Sequence, residues 1–224
     1  MSKRNALIVG GTKGLGFQLA HKLFRTHKIF AVGRDDPNNV IVYRFIPFDL
    51  KNWNDGFAKY LASYDKEPWD LIIFNAGFFQ DGTIGELDHK DIVGMINLGL
   101  VAPIDLISAV LIHQKHLPGF IVVTSTSQWT PRLREPVYTA VKAGLGMFAN
   151  SVSLDPAIGK TLVAAPAGMK TPFWKGVDKD TSDMLDPEWV ADQILFHYAT
   201  DFDYQYIRIL RGPARVDVVE RRLG

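Results

Sequence analysis

Ala6-Leu7-Ile8-Val9-Gly10-Gly11-Thr12-Lys13-Gly14-Leu15-Gly16 reads as a short buried strand, a glycine-rich turn and the opening of a helix. Four consecutive apolar residues suit a strand covered on both faces, as in a parallel sheet. Helix-period apolar positions then run from Leu15 to Arg25. Between the two, glycines let the backbone turn tightly and approach a pyrophosphate closely. The helix N-terminus meanwhile presents free N–H groups and a partial positive charge. The spacing at Gly10, Gly14 and Gly16 is G-x-x-x-G-x-G, not the G-x-G-x-x-G of the standard dinucleotide turn. Its place between a first strand and a first helix favours dinucleotide binding over a merely structural turn. Gly10, Thr12, Lys13, Gly14, Leu15 and Gly16 are the candidate cradle.

The same alternation continues along the chain. Strands are expected at Ala6–Val9, Ile29–Val32, Val40–Phe45, Leu71–Phe74, Ile121–Thr124, Leu162–Ala165 and Ile207–Leu210. Helices are expected at Leu15–Arg25, Trp53–Ser63, Lys90–His113, Val137–Leu154 and Pro187–Thr200, the last capped by Asp186 with Pro187 in its first turn. Short β-rich runs separated by helices predict crossover units and a parallel sheet. No repeat, low-complexity tract or linker divides the 224 residues, so residues 1–224 are expected to form one α/β domain.

Composition removes several functions. With no cysteine, disulfides, thiolate metal sites and cysteine nucleophiles are excluded. The six histidines carry no metal-binding motif, and no metal site is expected. Net charge is +1, and the one basic run, Arg208, Arg211, Arg215, Arg221 and Arg222, reads as solvated surface or subunit contact rather than a nucleic-acid patch. Met1-Ser2-Lys3-Arg4 and the short run Ala6–Val9 lack the apolar length of a signal peptide. The longest apolar stretch, Leu98–Ile112, contains Pro103 and Asp105 and is too short to span a bilayer. A soluble, cytoplasmic protein without nucleic-acid or membrane partners is expected.

At the end of the second expected strand, Gly33 stands where NAD-preferring enzymes place an acid, and Arg34 follows it. A guanidinium matches a 2′-phosphate, and Lys13 can add a second cation, so NADP is favoured over NAD. Asp35 and Asp36 come next and could bind a ribose hydroxyl. Further on, Tyr138 and Lys142 are four apart on an expected helix and so share one face. Bringing a phenol from a pKa of about 10 to near 7 needs roughly 4 kcal/mol. A unit charge about 4 Å away, at an effective dielectric near 20, supplies on the order of that amount. The pair can therefore serve proton transfer.

In order along the chain, these motifs resemble the short-chain dehydrogenase/reductase family from Ala6 to about Thr171. Asp49-Leu50 resembles the family's adenine-contacting Asp and apolar residue, and Asn75-Ala76-Gly77 its Asn-Ala-Gly. Asn97 stands where the family has a helix asparagine that holds a water near the lysine. Tyr138 and Lys142 match its Tyr-x-x-x-Lys. Pro166-Ala167-Gly168-Met169-Lys170-Thr171 resembles its Pro-Gly-x-Val-x-Thr, whose threonine contacts the nicotinamide amide. Departures are Ala167 for the glycine, Val9 for the threonine before the first glycine, and no glycine-rich C-terminus.

The resemblance implies one doubly wound Rossmann-type domain with a parallel seven-stranded sheet and helices on both faces. It also implies an NADP(H)-dependent oxidoreductase acting between a carbonyl and a secondary alcohol, with Tyr138 as general acid/base beside Lys142 and Asn97. The catalytic hydroxyl is one of Ser125, Thr126 and Ser127. Ser125 lies thirteen residues before the tyrosine, the family's common spacing, while counting from Gly119 points to Thr126. Homo-oligomers, dimers or tetramers paired through the helices near Asn97 and after Tyr138, are a family-level expectation. The alternative is a non-catalytic NADP-binding sensor, a class that often loses the tyrosine or the lysine. The small-molecule substrate is expected to meet Phe78-Phe79-Gln80, Gln128–Arg134 and Phe173–Met184, whose aromatics and nearby cations suit an apolar or aromatic carbonyl compound, neutral or anionic.

Overall fold

The all-apolar runs become interior strands of one sheet. In the computed structural model, which describes residues 3–38, 41–42, 44–79, 81–176 and 180–223, the strands are β1 (Arg4–Val9), β2 (His27–Gly33), β3 (Arg44–Pro47), β4 (Leu71–Phe74), β5 (Leu117–Val123), β6 (Ile158–Pro166), β7 (Tyr204–Leu210) and β8 (Arg215–Arg222). They are ordered β3-β2-β1-β4-β5-β6-β7-β8. The first seven are parallel, and β8 is antiparallel to β7.

Alternate residues of each strand feed two cores. Leu7 and Val9 of β1 join Leu61, Leu106 and Leu145 on one face. Ala6 and Ile8 join Leu15, Leu19 and Ile194 on the other. The first face is covered by α2 (Asp55–Ala62), α4 (Ala102–Gln114) and α5 (Pro136–Val152), and the second by α1 (Gly14–Leu23) and α6 (Pro187–Tyr198). Burial on both faces explains why these strands carry no polar alternation.

The seven-strand expectation is corrected by β8. Arg215–Arg222 holds three valines among charged residues, and Val218 and Val219 are 44% and 45% exposed. Such a segment gives no apolar run to detect. It joins by an antiparallel hairpin, which needs no crossover helix, and its charges protect the sheet edge. The third strand also shifts: expected at Val40–Phe45, it pairs with β2 from Arg44 to Pro47, while Val40 and Tyr43 lie outside the described residues. So do Met1 and Ser2 at the N-terminus.

The long helix expected at Lys90–His113 forms, with one irregularity. α3 (His89–Ile96), a π turn (Asn97–Val101) and α4 run on as one 26-residue helix, with a mean hydropathy of 2.1 over its most apolar window. By length and composition alone it could cross a bilayer, although the apolar stretch Leu98–Ile112 by itself is shorter. Pro103 does not break it because it falls in the first turn of α4, directly after the wide turn closed by Ala102 N–H to Asn97 O. Half of that window is buried in the fold, a half that a bilayer span would have to surrender.

The basic run is spread over several partners. Arg208 stacks on the Trp129 ring, 4.0 Å from its centroid, Arg211 pairs with Asp183 at 2.8 Å, and Arg222 donates to Asn150 Oδ1 at 2.6 Å.

Candidate functional site

From β1 the chain passes through α1 to β2 on one side, then returns by β3 and α2 to β4 on the other. The carboxyl ends of β1 and β4 therefore open a crevice at the point where strand order reverses. The glycine turn lies there. Gly10 and Gly14 have φ of +80° and +52°, a region that glycine enters without strain. Asn75 at the end of β4 donates its side-chain amide to Gly10 O at 3.0 Å and holds the turn from below.

A Cβ on Gly16 would lie 2.0 Å from Gly10 O, so this close backbone approach admits no side chain. We expect Gly16→Ala to destabilise the protein by about 2 kcal/mol and to weaken dinucleotide affinity, because the loop backbone must move. Thermal unfolding and a cofactor titration of the same variant check this.

α1 begins after Lys13 with no side-chain cap and no acid in its first turn, leaving its N–H groups for an anion. Lys13 Nζ pairs with Asp35 at 2.6 Å, an exposed contact that holds the Asp35 carboxyl below its ordinary pKa and contributes little stability. Asp36 accepts from Asn38 N–H at 2.7 Å, and Arg34 is exposed. Sequence reading missed why position 33 is glycine: a Cβ there would sit 2.4 Å from Thr12 Oγ1. Thr12 fills the place that an acidic side chain would need.

Asp49 caps a short 3-10 helix by accepting from Lys51 N–H at 3.1 Å, and Leu50 packs on the first core. Pro166 closes β6, and the Thr171 methyl meets the Cβ position of Gly14 at 3.2 Å, bringing that segment over the glycine turn. Gly77 lies beside the lysine, its Cβ position 3.6 Å from Lys142 Nζ.

α5 positions the tyrosine and lysine. Close packing sets its place: a Cβ on Gly99 would meet Val141 Cγ1 at 2.3 Å. Lys142 is buried and donates to Val123 O at 3.0 Å, at the end of β5. Burial lowers its pKa to about 8. Tyr138 is half-buried, and burial pushes its phenol well above the ordinary range, opposed by a hydrogen bond with Ser125. The negative Glu135 adds to the rise and Arg132 works against it.

This differs from the acidity inferred from spacing alone. Lys142 Nζ lies 5.6 Å from the Tyr138 ring centroid, and loss of hydration is the largest influence on the phenol.

The three hydroxyls have separate partners. Ser125 contacts the phenol and also accepts from Ser127 N–H at 3.1 Å. Ser127 is buried and donates to Glu135 Oε2 at 2.9 Å, while Thr126 Oγ1 accepts from Arg132 at 3.3 Å. The role of Glu135, three residues before the tyrosine, had no signal in the sequence. Asn97 lies in the π turn, and its amide donates to Trp53 O at 3.2 Å. A small, mostly apolar cavity of about 10 Å³ lies against Lys142 between Gly77, Leu98, Gly99 and Tyr138.

Of the expected substrate segments, Phe79, Phe173 and Trp174 gather around Tyr138. Trp129 packs beneath Arg208 instead, and Gln80 and residues 177–179 lie outside the described residues. Among the described residues no group of three His, Asp or Glu side chains could hold a metal.

A parallel sheet that reverses its order above a glycine turn, with helices on both faces, is a Rossmann-type α/β domain. Residues 4–182 match the family model for short chain dehydrogenases, and the chain belongs to that family of oxidoreductases. An uncharacterized oxidoreductase of Saccharomyces cerevisiae is 24% identical over 96% of this chain and 75% of its own length. Among solved structures, a short-chain dehydrogenase family protein from Francisella tularensis superposes with a TM-score of 0.79 at 18% identity, covering 93% of this chain and 97% of that one. A short-chain dehydrogenase from Sphingobium yanoikuyae in complex with NADPH has a TM-score of 0.77 at 20% identity, covering 87% and 84%.

Proposed function

We propose that the protein is an NADP(H)-dependent oxidoreductase that reduces a carbonyl compound to a secondary alcohol, or runs the reverse reaction. The observation that carries this reading is the meeting of Ser125, Tyr138 and Lys142 beside Gly77, at the mouth of the crevice that holds the glycine turn. A non-catalytic sensor has no need of that set. The turn from Gly10 to Gly16, with the uncapped N–H groups of α1, would hold the pyrophosphate. Asp49 and Leu50 would border the adenine, Asn75, Ala76 and Gly77 the cofactor's middle, and Pro166 and Thr171 the nicotinamide amide.

Bound there, the dinucleotide supplies or accepts the hydride. In the reductive direction the carbonyl π electrons pass to oxygen, and Tyr138 gives that oxygen its proton. Ser125 holds the same oxygen and stabilises its charge. A phenol kept protonated by burial is in the correct form for an acid, which suits reduction. Lys142 would hold the nicotinamide ribose and supply positive charge behind the phenol. Asn97 would anchor a water that reloads the proton; its neighbours Leu98 and Gly99 line the small cavity against Lys142.

NADP over NAD is supported by Arg34, by Lys13, and by the glycine in place of an acid at position 33. The Lys13–Asp35 pair is exposed enough to yield to a phosphate at small cost. Arg34→Asp removes a charged hydrogen bond worth about 2–3 kcal/mol, so the ratio of NADPH to NADH affinity should fall ~30- to 150-fold. Calorimetric titration of both cofactors tests this, and an unchanged ratio makes Arg34 a surface cation only. Exposed Val93, Ile96, Ile104 and Ile112 on α3 and α4, with Met147 on α5, support pairing of these helices between subunits.

A further inference from the structure

The rings around Tyr138 form one connected group. Phe79 meets the Tyr138 ring edge-on at 5.7 Å and 80°, and Phe173 lies against the same ring at 6.2 Å and 52°. Phe79 also contacts Phe173 at 6.2 Å and Trp174 at 5.4 Å, and Phe173 meets Trp174 at 5.1 Å. Trp174 is anchored by its indole N–H, which donates to Met169 O at 2.9 Å. Phe173 has no polar side-chain atom and is placed by ring contacts. Of the two rings on the phenol it makes the more distant and more oblique contact, and it stands on the reacting group.

The arginines of the loop before α5 are already paired with carboxylates. Arg134 pairs with Asp81 at 2.7 Å and Glu86 at 3.2 Å, and Arg132 with Glu135 at 3.6 Å. An anionic substrate would have to displace those carboxylates and would meet the negative faces of the rings.

Resting on the carbonyl-reduction reading, we infer that the substrate is an uncharged compound with an aromatic ring next to its carbonyl, and that its ring displaces Phe173 from Tyr138. A flat ring in that place inherits the edge-on contact with Phe79 and the contact with the phenol. A saturated ring of the same size fills the space without either quadrupole interaction.

Binding of the alcohol products in the presence of NADPH tests this without turnover. NADPH alone is titrated first by calorimetry; if it does not bind, this inference and the oxidoreductase reading fall together. With NADPH bound, 1-phenylethanol should bind about ten-fold more tightly than 1-cyclohexylethanol, and also more tightly than 4-(1-hydroxyethyl)benzoate. Phe79→Leu should bring the phenyl-to-cyclohexyl ratio within about two-fold, whereas Phe173→Ala should tighten 1-phenylethanol by removing its competitor. Equal binding of the two neutral alcohols, tighter binding of the benzoate, or no binding of 1-phenylethanol overturns the inference and leaves the oxidoreductase reading standing. Weaker 1-phenylethanol binding in Phe173→Ala makes that ring a wall of the site and overturns the displacement.

Discussion

Tyr138→Phe should bind NADPH as the parent does and lose about 10³-fold or more in turnover. The substitution removes one oxygen and keeps the ring, so the contacts with Phe79 and Phe173 survive and the fold should not change. What disappears is the proton that the carbonyl oxygen must receive as hydride arrives. General acid catalysis of this kind is worth roughly 10²–10⁴-fold. The phenol of Tyr138 is held protonated by burial, so the parent carries the competent form across the neutral range. Single-turnover oxidation of NADPH, followed beside a binding titration, separates the step from cofactor affinity. Near-parental reduction of a good substrate by Tyr138→Phe would remove the phenol from the mechanism.

Lys142→Met should be inactive, with turnover reduced by about 10²-fold or more, yet more stable than the parent at neutral pH. Burial lowers the lysine from its ordinary 10.5 to about 8, so below pH 8 the folded chain carries a poorly hydrated ammonium. Both states hold the proton there, and the cost is felt in full. Between pH 8 and 10.5 the unfolded chain binds more protons than the folded one, so parental stability should rise with pH. At about 1.4 kcal/mol per unit the full rise is on the order of 3 kcal/mol. Methionine has no such charge but forfeits the bond to Val123 O, worth about 1 kcal/mol. A net gain near 2 kcal/mol corresponds to roughly 4–8 °C in Tm for a chain of this size. Thermal unfolding from pH 7 to 10.5 should show the parent approaching Lys142→Met. Parallel curves would mean that Lys142 is already neutral or well solvated. Such a trade of stability for activity is common at reactive sites.

The elements with strong local signals were legible. Leu71–Phe74 has the same bounds by apolar pattern and by pairing, and α6 begins at Pro187 behind the Asp186 cap as its residues dictate. β8 was not legible, because an edge strand buries one side at most and needs no run of apolar residues. The π turn at Asn97 was hidden as well, since its residues fit an ordinary helix and only packing of Gly99 on Val141 reveals the local widening.

At the site the division is the same. The sequence by itself determined the order of strands and helices, the glycine turn and the pairing of Tyr138 with Lys142 on one helix face, because each rests on neighbours within a few residues. Only the tertiary structure decided which of three hydroxyls lies by the phenol, what crowds position 33, which aromatics stand over Tyr138, and how deeply Lys142 is buried. Those outcomes depend on groups from separate segments, and on the water their packing excludes, neither of which a local pattern encodes.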